Sequence, residues 1–183
     1  KVFAPVSPVR NAEIRDILLR NVADAALLRQ QVRNTAVPQA ERDSALYTLL
    51  YKELSRGHYA DFLKDVALVP DDAATDGNAA LPEWDQSAPP LGVFTKATAG
   101  DYDCPPLKQT ATRLARNAHD SKAQLCLGDF FLANGFDGET LDTQPEGDVL
   151  GSTPSLFKGP VYSRLDVYRA LIASAKTPAG DKA

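Results

Sequence analysis

The side chains able to do chemistry are few and widely spaced. The 183-residue chain has two histidines and two cysteines. His58 follows a glycine and His119 sits in a short polar turn, so both read first as surface turn residues. No G-x-S-x-G nucleophile elbow accompanies them. Two His and two Cys at unrelated spacings do not make a zinc site. Carboxylates gather at Asp71, Asp72 and Asp76, at Asp101 and Asp103, and at Asp137, Glu139 and Asp142. Calcium takes oxygen ligands from such loops. None of these groups follows the D-x-[DN]-x-[DN]-G order, so solvated turn carboxylates are the simpler reading. Glycoside hydrolysis needs two carboxyl groups on opposite walls of a groove. Glu53, Asp61 and Glu83 are the candidates, and nothing in their spacing selects them. No catalytic residue, metal site or cofactor is assigned.

Cys104 and Cys126 are compatible with one disulfide. Cys104 precedes Pro105-Pro106 and so lies outside the helix that follows. It meets Cys126 only if the Cys-Pro-Pro segment folds back, a reach of roughly 10 Å for three extended residues. Such a bond would contribute on the order of 3 kcal/mol. The alternative is a buried free thiol at Cys126. A disulfide would place the chain in an oxidising compartment: periplasm, cell surface or outside the cell.

Periodicity predicts about six helices. The clearest spans 120–134, where Ala123, Cys126, Leu127, Phe130 and Phe131 recur at i, i+3, i+4, i+7 and i+8. Leu125 and Leu132 widen that stripe, as for a helix buried on most sides. Asp120 or Ser121 can cap it, and Asn134-Gly135 stops it. The preceding helix spans 107–117, and the short turn between them predicts antiparallel neighbours. A long helix over 11–33 starts at an Asn11 cap. Others follow at 39–56, stopped by Gly57, at 59–68, and at 164–175 behind a Ser163 cap.

Leu127-Gly128, Phe131 and Gly135 resemble the L-G-x-x-Y-x-x-x-G core of helix A in tetratricopeptide (TPR/Sel1-like) repeats. The preceding LARNAHDSKA resembles the end of a helix B and its turn. In such repeats the glycine lets two helices approach and an aromatic ring fills the gap above it. The match covers one unit. The helix that should come next is replaced by a Gly-, Pro- and Asp-rich stretch. LLYKELSRGHYADF carries a second such turn. The resemblance implies an all-α fold of stacked antiparallel helix hairpins, TPR-like but irregular, and a concave face suited to protein binding.

The expected organisation is a single helical domain over 1–183. It has an extended lead over 1–10, long ordered loops over 69–103 and 136–162, and the start of a further helix at 177–183. In the first loop, LGVF reads as a short strand or extended strip. Loops this long often serve function. Trp84, Phe94, Tyr102, Phe136, Phe157 and Tyr162 are aromatic residues in them. They serve either as anchors or as a binding surface, since aromatics are enriched at interface hot spots. On the second reading Trp84, Phe94, Tyr102 and Phe157 are the binding residues.

Composition narrows the classes. Hydrophobic residues make up 44% and charged residues 24%, which is globular. The net charge of −4 and the lack of a basic block argue against nucleic acid. No apolar run reaches the roughly 20 residues of a membrane span. The chain has no Met and opens Lys1-Val2-Phe3-Ala4-Pro5. That suggests a processed chain whose targeting segment is gone, the alternative being a chain trimmed at this point. The expected role is a non-catalytic, exported accessory subunit that binds another protein in a bacterial envelope or outer-membrane assembly. The alternatives are a cell-envelope hydrolase using loop carboxylates and a carbohydrate or small-ligand binder using Trp84.

Overall fold

The computed structural model describes residues 2–3, 7–75, 89–97, 102–136 and 145–173. Among the described residues it contains eight α-helices and no strand. They are α1 (Ala12–Asn21), α2 (Ala25–Arg33), α3 (Gln39–Ser55), α4 (Tyr59–Asp65), α5 (Val93–Lys96), α6 (Leu107–Arg116), α7 (Ser121–Ala133) and α8 (Arg164–Ala173). A 3-10 turn, Val66–Leu68, extends α4.

Caps explain most boundaries. Asn11 Oδ1 accepts the Ile14 N–H at 3.0 Å and opens α1. The expected single helix over 11–33 is in fact two. Asp24 takes an extended conformation and its carboxylate accepts the Leu27 N–H at 2.7 Å, so a new helix starts there. The break folds α1 and α2 separately onto α3. Gly57, at φ 78°, ends the α3 region, and Gly135, at φ 70°, ends α7. Asp120 caps α7 through the Ala123 N–H at 2.9 Å. Arg113 of α6 grips the same carboxylate, at 2.8 Å in its closest contact, and so ties the two helices at their turn. Ser163 Oγ accepts the Asp166 N–H at the start of α8.

The LGVF stretch is not a strand. Lys96 N–H bonds Gly92 O at 2.8 Å and makes one helical turn, α5. That turn is pinned by the Gly92 N–H on Ala74 O and by Lys96 Nζ on Ala73 O. Leu132 also departs from expectation. It lies on the open side of α7 and is half exposed, whereas Leu125 is fully buried.

The long helices pack in chain order: α2 on α3, α3 on α4, α4 on α6, α6 on α7 and α7 on α8, with α1 also on α3. The most enclosed helix is α3, whose residues from Ala45 to Ser55 are all buried. Around it lies an aromatic core centred on Phe136. The Phe136 ring sits 5.4 Å from Tyr51, 5.5 Å from Phe130, 5.5 Å from Phe131 and 5.8 Å from Phe94. Each such pair adds about 0.5–1.5 kcal/mol beyond area burial. A second cluster joins Leu19, Leu28, Ala45 and Leu49 to Phe157.

The stretch 145–173 straps these layers together. Gly151 lies against Ile17 and Asn21 of α1. The Leu156 N–H bonds Val22 O at 2.9 Å. Arg56 Nη1 donates to Phe157 O and Gly159 O, each at 3.0 Å. Tyr162 stacks on Phe131 at 4.7 Å. Leu171 then buries against Leu125.

Candidate functional site

Of the aromatic residues expected to bind, Trp84 lies outside the described residues, as does Glu83. Phe94 is 1% exposed and packs edge-on against Tyr47 at 5.3 Å. Phe157 is 3% exposed and meets the His58 ring at 5.5 Å. Both rings are consumed by the domain's own core, which corrects the expectation that they face a partner. Tyr102 is half-buried beside Leu125 and Leu171. Its carbonyl accepts from Lys122 Nζ at 2.7 Å.

Cys104 and Cys126 form a disulfide, with Cα atoms 5.5 Å apart. The segment before α6 therefore does fold back onto α7. Asp103 takes a left-handed φ of 47° just before the bond, and the Lys122 bond to Tyr102 holds the same segment from the other side.

Among the described residues, carboxylates converge at the junction of α2, α3 and α4. Gly57 reverses the chain so that the end of α3 faces α4, and α2 packs alongside α3. Arg29 of α2 enters between them. Its Nη2 lies 2.7 Å from Glu53 Oε1, and its Nε lies 2.6 Å from Asp65 Oδ2. Asp61 Oδ2 is 3.9 Å away. Asp61 also accepts from Lys64 Nζ at 3.1 Å and lies 3.9 Å from His58 Nδ1. His58 Nε2 donates to Lys158 O at 3.0 Å, which connects this junction to the strap.

The electrostatics of the three acids differ. Glu53 is 0% exposed. Burial first, then the hydrogen bond and charge of Asp65, push its carboxyl up to about 9, against the pull of Arg29. Asp61 is partly exposed, and the Lys64 bond holds it below the usual carboxylate range. Burial opposes the charge on Arg29, yet the Asp65 bond and the surrounding carboxylates raise its pKa further.

Glu53 and Asp61 were the described candidates for the walls of a hydrolytic groove. They do not stand in that relation. Glu53 is closed to solvent and already bound to Arg29, so no sugar can lie between the two. Position alone did not reveal Arg29 and Asp65 as their partners. The i, i+4 spacing of Asp61 and Asp65 on a helix, one Gly turn after Glu53, was the available signal.

The other candidate surface is apolar. Large hydrophobic side chains left exposed include Val149, Leu150, Leu156, Val161, Leu165 and Ile172, all on the strap, and Leu132 on α7. Leu165 and Ile172 are two helical turns apart on α8, so they share one face. They are 59% and 54% exposed. Leu171, roughly 100° round the helix from Ile172, is the α8 residue that enters the core. Among the described residues no group of three or more His, Cys, Asp or Glu is arranged to hold a metal ion, and no helix is long and apolar enough to cross a membrane.

No family model, curated protein or solved structure matches this chain.

Proposed function

We propose that this protein is a non-catalytic, exported binding subunit that docks another protein of a bacterial envelope assembly on the outer face of its strap and α8. The observation that carries the reading is the pair Leu165 and Ile172. The outward face of a packed helix is normally polar, because an apolar one costs solubility. Here α8 turns Leu171 inward and leaves two large aliphatic residues in water. Val161 and Leu156 continue the apolar character along the strap. Contiguous exposed apolar patches mark protein contacts.

Export is supported by the disulfide, since such bonds persist in oxidising compartments. The resemblance to tetratricopeptide repeats supports the same role, because stacked helix pairs commonly serve as docking platforms.

The test is affinity purification of the tagged chain from its native cells after chemical cross-linking. It is run beside a Leu165→Asp/Ile172→Asp variant. A partner recovered with the wild type, cross-linked through α8 and lost from the variant, is the expected result. A partner retained by the variant, or cross-links confined to α1 and α2, would overturn the assignment.

A further inference from the structure

We propose that Glu53 and Asp65 share one proton in the folded protein, with Arg29 clamping the resulting acid–carboxylate pair, so that the α2–α3–α4 junction is a lock closed by protonation. The geometry requires a proton. Glu53 Oε1 accepts from Arg29, but the buried Oε2 has no donor among the described residues. A buried carboxylate oxygen without a donor carries a full desolvation cost. Protonation turns the Glu53 carboxyl into a donor, and Asp65, held at 2.6 Å by the same Arg29 guanidinium, is the carboxylate placed to accept.

Charge counting agrees. The charged groups acting on Glu53 are Asp65 and Asp61 from α4 and Arg29 from α2. Asp61 has Lys64 and faces His58 near solvent. Among the described residues, the guanidinium that binds both Glu53 and Asp65 is that of Arg29, and both carboxyl groups are buried. One proton leaves one anion for one cation, the arrangement with the smallest burial cost. The proton rests on Glu53 because Glu53 is the more enclosed, while Asp65 keeps the 2.6 Å bond to Arg29 Nε.

The consequence is directional. The Glu53 carboxyl is raised from an ordinary 4.5 to about 9. Between those values the folded chain holds more protons than the unfolded one. Stability from this group is therefore complete below the lower value and is lost as pH rises toward the upper. Ionisation would put two anions between α3 and α4, at the turn whose Arg56 and His58 hold the strap.

Glu53→Gln is the test, because its amide can donate to Asp65 while its carbonyl still accepts from Arg29. Wild-type Tm should fall by roughly 5 °C or more between about pH 5 and about pH 9, and the variant should lose most of that fall. The infrared carbonyl band of a protonated carboxyl should be present in the wild type at neutral pH and absent from E53Q. Equal falls in both proteins, or no band at neutral pH, would overturn the proposal. If E53Q does not fold, the wild-type band decides: its persistence to about pH 8 supports the lock, and its loss by about pH 6 refutes it.

Discussion

Tyr168 occupies the space that a side chain at position 128 would need. A Cβ built on Gly128 would lie 2.6 Å from the Tyr168 ring and 2.7 Å from its hydroxyl. The glycine thus lets α8 seat on α7, and the contact extends to Leu171 on Leu125. Overpacking of this kind costs about 1–3 kcal/mol, while Ala in place of a mid-helix Gly returns about 1 kcal/mol. Gly128→Ala is expected to destabilise by roughly 1 kcal/mol on balance. In a Tyr168→Ala background the same change should become stabilising, because only the helix term is left. Denaturant unfolding of the four proteins of the cycle reads this sign change directly. A Gly128→Ala effect of the same sign in both backgrounds would mean that the ring is not the obstacle.

The disulfide joins residues 22 apart. A closed loop of that size restricts the unfolded chain by about 3 kcal/mol. Reduction, or the double change Cys104→Ala/Cys126→Ala, is expected to lower Tm by roughly 6–12 °C. Thermal melts with and without reductant measure it. The fold should persist at room temperature, since Leu127, Phe130 and Phe131 of α7 sit in the main core independently of the bond.

Among the described residues, Arg29 is the cation that binds both Glu53 and Asp65. Arg29→Ala takes the guanidinium away from the buried Asp65, a loss of about 3–5 kcal/mol. The penalty should grow with pH, because Glu53 ionises without its counter-charge. At the acid end the sign reverses for other groups. Asp61, through Lys64, sits below its ordinary value. So does Asp120: burial works against that shift, but the Ala123 N–H and Arg113 outweigh it. Stability from those two carboxylates is present above the ordinary value of 3.8 and lost as pH falls below it. Maximum stability is therefore expected at mildly acidic pH, with Tm falling on both sides in a scan of the wild type. A flat alkaline side would contradict the Glu53 assignment.

Much of the helical pattern was open to reading because it is local. Asn11, Asp120 and Ser163 are caps for residues three further on, and Gly57 and Gly135 stop helices by their own backbone freedom. The break at Asp24 was hidden because the apolar stripe of α1 runs on into α2 without changing phase, so periodicity saw one helix. The tetratricopeptide resemblance implies close approach at Gly128 with the motif's own aromatic, Phe131, above it. The ring that lies there, Tyr168, comes 40 residues later. The charged junction was out of reach for the same reason. Arg29 meets Asp65 across 36 residues, and Arg56 meets Phe157 across 101. Burial of Phe94 and Phe157 depended on those long-range closures and not on any neighbouring residue.

The strap depends on a backbone that a side chain would disturb. Gly159 has φ 95°, and a Cβ there would approach Arg56 O to 2.6 Å. Gly159→Ala meets both backbone strain and collision, so a loss of about 1–3 kcal/mol is expected. The loss should be local. Arg56 would release Phe157 O and Gly159 O, and amides around 156–160 should exchange faster while those of α6 and α7 keep their protection. Limited proteolysis should cut first in the same stretch. Uniform loss of protection across the chain would show instead that the strap belongs to the global folding unit.

Leu165 and Ile172 permit a separation of binding from stability. Both are more than half exposed, and their replacement by Asp touches no core contact of Leu171. Surface changes of this sort alter stability by about 0.5 kcal/mol or less. Asp166 and Arg169 already pair on α8, so added carboxylates at 165 and 172 raise its negative charge without breaking an internal bond. The expected outcome is a variant with unchanged Tm and an unchanged disulfide that no longer carries its partner. If L165D/I172D lowers Tm by several degrees, these side chains are covered within the chain itself, and the docking face must be sought elsewhere. If Tm and partner recovery both stay constant, α8 is free surface, and the docking assignment falls.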